Sequence, residues 1–349
     1  MSLAERTLQL VDVPSESGRE AELAALVAEL VPLERRFESG ETLLYSTGRS
    51  GKPVLLLAGH LDTVPAQGNL PGRIEGGAVH GLGASDMKGG VAVMIELARW
   101  IAAEQPALAV DVDFLFFPLE EVDLALSPLP ELFETGHVDD ASLVVVLEPT
   151  DNELHAGCLG SLNALLRFHG ESAHSARPWT GVNAIRLAVE GLAEIVRHEP
   201  RDVHVEGLLF REALSVTRLE AGIAANVIPA EAVATLNFRY PPRMRREHAE
   251  ERLRELVHGS GGELEITSNA PAADVRLDDP LLARLIEAGS LEVRPKQAWT
   301  PVAQFSERGL LAVNLGPGAT RFAHTVDEQV EVAELERCFD TLRRFVTSL

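Results

Sequence analysis

Four stretches of this 349-residue chain read as strands buried on both faces, and chemistry-bearing residues follow each of them. "KPVLLLAGHLD" holds an unbroken apolar run from Val54 to Ala58, bounded by Pro53 and Gly59. Strands exposed on one face alternate apolar with polar residues, whereas a continuous run marks a strand covered by helices on both sides. "AVDVDFLFFPLEE" and "SLVVVLEPT" read the same way, and "GLLAVNLGPG" is a fourth such strand. Between them, residues 89 to 105 carry a helical pattern with Val91, Met94, Ile95, Leu97 and Ile101 able to share a face. Strands alternating with helices predict an α/β layered domain with a mostly parallel sheet.

In open α/β sheets, ligand sites gather outside the carboxyl ends of the strands. Here the first strand ends in His60 and Asp62, the second in Glu120 and Glu121 and the third in Glu148, while the fourth leads through a glycine loop to His324. The loop "HGLGASDMKGG" adds Asp86. It has an aspartate where a dinucleotide fingerprint wants its third glycine, and the chain has no GxxxxGK[ST] phosphate loop. The glycines are read instead as letting the backbone turn so that Asp86 faces a cation. Singly, each group has an ordinary reading: a hydrogen-bonded histidine, a loop anchor, a solvated acidic pair. Five of them at the ends of four buried-type strands point to a metal centre. Histidine with Asp and Glu and no Cys is the donor set of a catalytic zinc-type site, and several carboxylates allow two ions. Asp62, two residues from His60, suits a carboxylate that orients a ligand imidazole.

A formal charge of −22 argues against nucleic acid or an anionic membrane as partner, because phosphate binding needs clustered Lys and Arg. Two cysteines exclude a disulfide framework and a Cys-type zinc site; Cys158 is read as a small buried residue, not a nucleophile. The first residues lack the apolar core of a signal peptide, and no apolar run approaches the ~18 residues of a membrane span. A cytoplasmic protein is the expectation. From about residue 161 the pattern changes to alternating strands with two helices, "GVNAIRLAVEGLAEIVRH" and "MRREHAEERLRELVHG". The expected organisation is a discontinuous metal domain, 1–160 with 272–349, and an inserted α+β domain, 161–271. The insert carries His174, Asn226 and Arg239; on residue logic alone Asn226 reads as a turn and Arg239 as a surface ion pair.

Taken together, "VPSESGRE", "GHLDTVP", "GLGASDMKGG", "LEE", "LEPT", "HSARPWTGVNAI", "GIAANVIPAEA", "NFR" and "AHTVDE", in that order from residue 13 to 328, resemble the zinc-dependent M20 metallopeptidase family. The resemblance implies a two-zinc site (or cobalt or manganese) in which Asp86 bridges the ions, His60 and Glu148 complete one, and Glu121 and His324 the other. It implies that Asp62 orients His60 and that Glu120 is the general base, taking a proton from the attacking water and passing it to the leaving amine. The inserted domain would be a ferredoxin-like lid and the contact of a homodimer. His174 would reach the partner subunit's site to stabilise an oxyanion, and Asn226, Arg239, Thr300 and Gly318 would bind a small N-acyl amino acid. Within the family the likeness is to the desuccinylase subgroup, through "HAGCLGS", "AHSARPW" and "NLGPG", which implies release of succinate from N-succinyl-L,L-diaminopimelate. Several positions depart: Leu159 stands where other desuccinylases carry an arginine, Pro301 where aspartate is common, Gln304 near a usual arginine, and Val122 where glycine is common. The alternatives are deacylation of another N-acyl amino acid such as acetylornithine, a carboxypeptidase, and a metal-free binding homologue. The last is opposed by the presence of the base together with all five ligands.

Overall fold

In a computed structural model describing residues 1–347, the four apolar runs form the parallel centre of an eight-stranded mixed sheet. Their order is Asp111–Phe117, Val54–His60, Ala141–Val146, Ala312–Asn314, each parallel to its neighbour. Every residue of the first two is buried, as a run without alternation requires. Antiparallel strands flank the parallel group: Thr42–Ser46 and then Glu34–Ser39 on one side, Leu154–Cys158 on the other.

Register decides what the sheet presents. Pairing runs from Val54 with Asp111 to His60 with Phe117, and Ala58 pairs with Val146. The carboxyl ends of these strands are therefore level, and the residues just beyond them emerge on one edge. The helix expected after the Asp86 loop spans Gly89–Glu104; Ala92, Val93 and Ala98 are buried as well as the five residues on the predicted face. It is a core helix rather than a one-sided one. Cys338 is buried in the closing helix, Val332–Thr347, as its amphipathic pattern suggests. No described helix is long and apolar enough to cross a membrane.

The chain divides into two compact units: residues 1–156, 276–294 and 300 onward, and residues 157–275 with the short return 295–299. The second unit is built on an antiparallel sheet ordered Arg201–Val205, Leu208–Ala221, Glu231–Tyr240, Gly160–His169, Glu263–Ala270. Burial alternates strictly along Gly160–Phe168. Its buried face packs Leu166, Phe168, Leu236 and Phe238 with Leu192 and Leu253, which lie on the helices Ala184–Val196 and Arg246–Leu256. The strand Arg201–Val205 has no clear signal in the sequence. It is short and mostly exposed, and a two-residue turn at Glu206 (φ 49°) and Gly207 (φ 81°) folds it onto its partner.

Candidate metal centre

The first unit brings all five expected ligands together. His60 Nε2 lies 3.2 Å from Asp86 Oδ1 and 3.9 Å from Glu148 Oε1. The other oxygen of Asp86 lies 3.4 Å from His324 Nε2, which is itself 2.9 Å from Glu121 Oε1. Asp86 thus shows one oxygen to each histidine. Two groups of ligand atoms follow, His60–Asp86–Glu148 and Asp86–Glu121–His324, each within 4.8 Å, and Glu120 joins a third with His60 and Glu121. Oxygen and imidazole donors, carboxylates in excess, and one carboxylate shared between two groups fit a pair of divalent cations. Packing these acids at one point costs free energy that positive charge must offset.

The turns that carry these side chains are held from behind. Asp62 is buried, and its carboxylate accepts from the backbone N–H of Glu120 (3.0 Å) and Glu121 (2.9 Å) and from the Ser17 hydroxyl (2.8 Å). The His60 Nδ1 leans on the Asp62 main-chain carbonyl at 3.0 Å and stands 3.5 Å from its carboxylate. Asp62 therefore orients the imidazole mainly through its backbone, while its side chain fixes the acidic turn, because three other donors claim the carboxylate. Either way Nδ1 is engaged and Nε2 is the atom turned to the acids. Leu119, just before Glu120, has φ 62°, a conformation costly for a branched side chain, and buried Glu20 accepts its N–H at 3.3 Å. Ser17 and Glu20 sit in "VPSESGRE", but nothing in sequence marks them as backbone acceptors.

Electrostatics separates the roles. Burial and the charges of Glu148, Glu121 and Asp86, opposed by His60, raise the Glu120 carboxyl well above its ordinary range. Burial raises Asp62 too, but His60 and the two backbone N–H groups prevail and hold it down at about 2. Burial also opposes ionisation of Asp86, and its contacts with His324 and His60 overcome that, leaving it below the carboxylate range. For His60, burial disfavours the imidazolium, yet Asp62, Asp86 and the charges of Glu120 and Glu148 hold its pKa well above normal. Asp86 and Glu121 raise His324 to about 10.

Of the remaining expected residues, Thr300 is buried in the first unit just before the helix Val302–Glu307. Gly318 has φ 88°, and a Cβ there would meet Ser85 Oγ at 2.4 Å, so this glycine packs directly on the Asp86 loop. The second unit holds His174 on a two-residue strand, Ala173–His174, paired with Val227–Ile228. Asn226, which immediately precedes Val227, is exposed, and its carbonyl accepts from Ser175 N at 3.0 Å. His174 Nδ1 accepts from Ala176 N at 3.0 Å, which places the proton of the neutral ring on Nε2. Arg239, on Glu231–Tyr240, departs from the surface ion pair that residue logic suggests: it is only partly exposed and donates to Asn237 Oδ1 at 2.9 Å. Among the described residues no carboxylate pairs with it.

Comparison with known proteins agrees with this picture. Residues 56–348 match the profile of peptidase family M20/M25/M40. The chain is 38% identical over 347 residues, 98% of its length and 97% of the relative's, to a putative succinyl-diaminopimelate desuccinylase DapE of Mycobacterium tuberculosis. It is 34% identical to the succinyl-diaminopimelate desuccinylase of Corynebacterium glutamicum, over 98% of this chain and 95% of that one. In fold it resembles an M20 family metallo-carboxypeptidase, Sso-CP2, from Sulfolobus solfataricus, with a TM-score of 0.82 at 18% identity and 99% of both chains covered. Fold, donor set and sequence agree: the chain belongs to peptidase family M20/M25/M40 and is a metal-dependent amide hydrolase.

Proposed function

We propose that this protein hydrolyses N-succinyl-L,L-2,6-diaminopimelate to succinate and L,L-diaminopimelate at a two-metal centre. The observation that carries the two-metal reading is Asp86 turned to both histidines; the substrate is suggested by near-full-length likeness to two relatives bearing the desuccinylase name. His60, Asp86 and Glu148 would hold one ion, and Asp86, Glu121 and His324 the other. Zinc, cobalt or manganese suits these donors. When bound, such ions polarise an amide carbonyl and make water a competent nucleophile at neutral pH.

The chain's own residues do the rest. Glu120 takes a proton from the attacking water and returns it to the amine nitrogen as the C–N bond breaks, a shuttle that suits a carboxyl with a raised pKa. His174 of one subunit donates its Nε2–H to the carbonyl oxygen in the partner's site as negative charge builds there. Arg239, with no carboxylate of its own among the described residues, grips a substrate carboxylate in bidentate fashion, and Asn226, Thr300 and Gly318 line the substrate. A homodimer is supported by two features of the second unit. Ile185, Val189 and Val196 are exposed on Ala184–Val196. Among the described residues, the strand Leu208–Ala221 pairs on one edge only beyond Glu212, since Arg201–Val205 covers just Leu208–Glu212.

A second reading, deacylation of another N-acyl amino acid such as N-acetylornithine, is favoured by Leu159, which is buried and apolar where other desuccinylases carry an arginine. Release of succinate from N-succinyl-L,L-diaminopimelate by zinc-loaded protein decides between them. The expected result is rapid release that a chelator abolishes. No succinate, with acetate freed from acetylornithine instead, would replace the first reading by the second.

Metal binding should also be pH-linked with a definite sign. The acids around them raise the proton affinity of both histidines, and Nε2 must be free of a proton before it can bind an ion. Calorimetric titration of zinc into chelator-treated protein, in buffers of different ionisation enthalpy, should therefore show net release of protons. Affinity should rise steadily from pH 6 to pH 8. Binding that takes up or ignores protons would remove these histidines as ligands.

A further inference from the structure

Glu328 belongs to none of the ligand groups, yet it is only 2% exposed and spans the two loops that supply Asp86 and His324. One of its oxygens accepts from the backbone N–H of Ser85 at 3.1 Å and of Asp86 at 3.0 Å, and the other from Gly83 at 2.9 Å. Its main-chain carbonyl accepts from Gly81 at 3.0 Å, and its own N–H donates back to Thr325, the residue after His324. Local pairing explains the placement. The strand Gln329–Glu331 lies antiparallel to Ala78–His80 with Gln329 opposite His80, so the preceding residue falls opposite Gly81, at the mouth of the glycine turn.

We propose that Glu328 is a positioning residue for the shared ligand Asp86: its carboxylate gathers the N–H groups of the Gly83–Asp86 turn and fixes Asp86 relative to His324 before any ion arrives. The proposal rests on the reading that Asp86 serves both ions. The turn cannot satisfy these donors by itself, since they converge on one point, and a buried N–H left without an acceptor is costly. Gly83 has φ 78°, and its carbonyl accepts from Lys88 N at 2.7 Å, closing the turn from its other end. One residue thus joins the two loops: its carboxylate sets the direction of Asp86, and its backbone N–H anchors a loop whose histidine is itself in a left-handed conformation, φ 60°.

Glu328→Gln tests this, because it keeps the shape but turns an NH2 group toward backbone N–H donors. Zinc affinity is measured by chelator competition, and hydrogen exchange is followed in a peptide covering Leu82–Lys88, for wild type and variant. Outer partners of metal ligands typically carry ten- to hundredfold in affinity. The expected result is roughly that weakening for at least one ion, faster exchange at residues 83–86, and recovery of kcat at saturating zinc. Unchanged affinity and exchange would overturn the proposal, as would a variant that loses only thermal stability with both ions held as before. If Glu328→Gln does not fold, chelator-treated wild type still decides: slow exchange at 83–86 supports a turn fixed without metal, and exchange as fast as an open loop refutes it. Failure of wild type to bind zinc would instead bring down the metal reading and this inference with it.

Discussion

Glu120→Gln is expected to lower kcat by about 10²–10⁴-fold while both ions stay bound. The amide has the shape of the carboxyl but cannot accept a proton from water or return one to the departing amine. Its neighbour Glu121 keeps its contact with His324, so the ligand groups that share Asp86 are untouched. The turn is kept as well, because Asp62 holds it through the Glu120 and Glu121 backbone N–H groups and not through the substituted side chain. The measurement is kcat beside zinc content of the same preparation, with KM as a check on binding. A variant that loses zinc in step with activity would show that Glu120 is a ligand, and one with near-normal turnover would remove it as the base.

His174→Ala should cost about 10²–10³-fold in kcat, the usual effect of losing one oxyanion donor, with no change in zinc content. The geometry behind this is the Ala176 N–H bond to Nδ1, which keeps the ring proton on Nε2. Whether the histidine works across a dimer is settled by mixing. His174→Ala and Glu120→Gln subunits are each nearly inactive alone. After random exchange in a two-fold dimer, half the molecules are mixed, and each has one site with an intact Glu120 facing the partner subunit's His174. Recovery of about a quarter of the wild-type rate is expected. No recovery from a mixture that light scattering shows to be dimeric would place His174 in its own subunit's site, and an active monomer would end the idea of a shared site.

What could be read from sequence follows physical lines. The parallel strands were legible because burial on both faces suppresses alternation, leaving runs such as Val54–Ala58 that few other elements produce. Four of the five donors were legible because they stand at or beyond the ends of those strands, and Asp86 because its loop lacks the residues of a phosphate cradle. Glu328, Glu20 and Ser17 were not. Each acts by accepting or making a hydrogen bond to a segment far away in the chain, and a carboxylate that serves backbone looks the same in sequence as one that faces water. Arg239 was misjudged on residue logic for a related reason: the alternation of its strand says which face it is on, not whether an acid waits beside it. Short, exposed pairings such as Arg201–Val205 escaped because two or five residues carry too little pattern.

The strand Ala312–Asn314 lies between Ala141–Val146 and Leu154–Cys158 in the sheet, though it arrives more than 150 residues after either. Until it is made, the sheet has a gap between Ala141–Val146 and Leu154–Cys158, and His324 and Glu328 follow later still. Such long-range closure makes assembly slow and late. Strand and donor thus come from one stretch of chain: removing residues 312–324 would take away both a strand of the parallel group and the second histidine that faces Asp86.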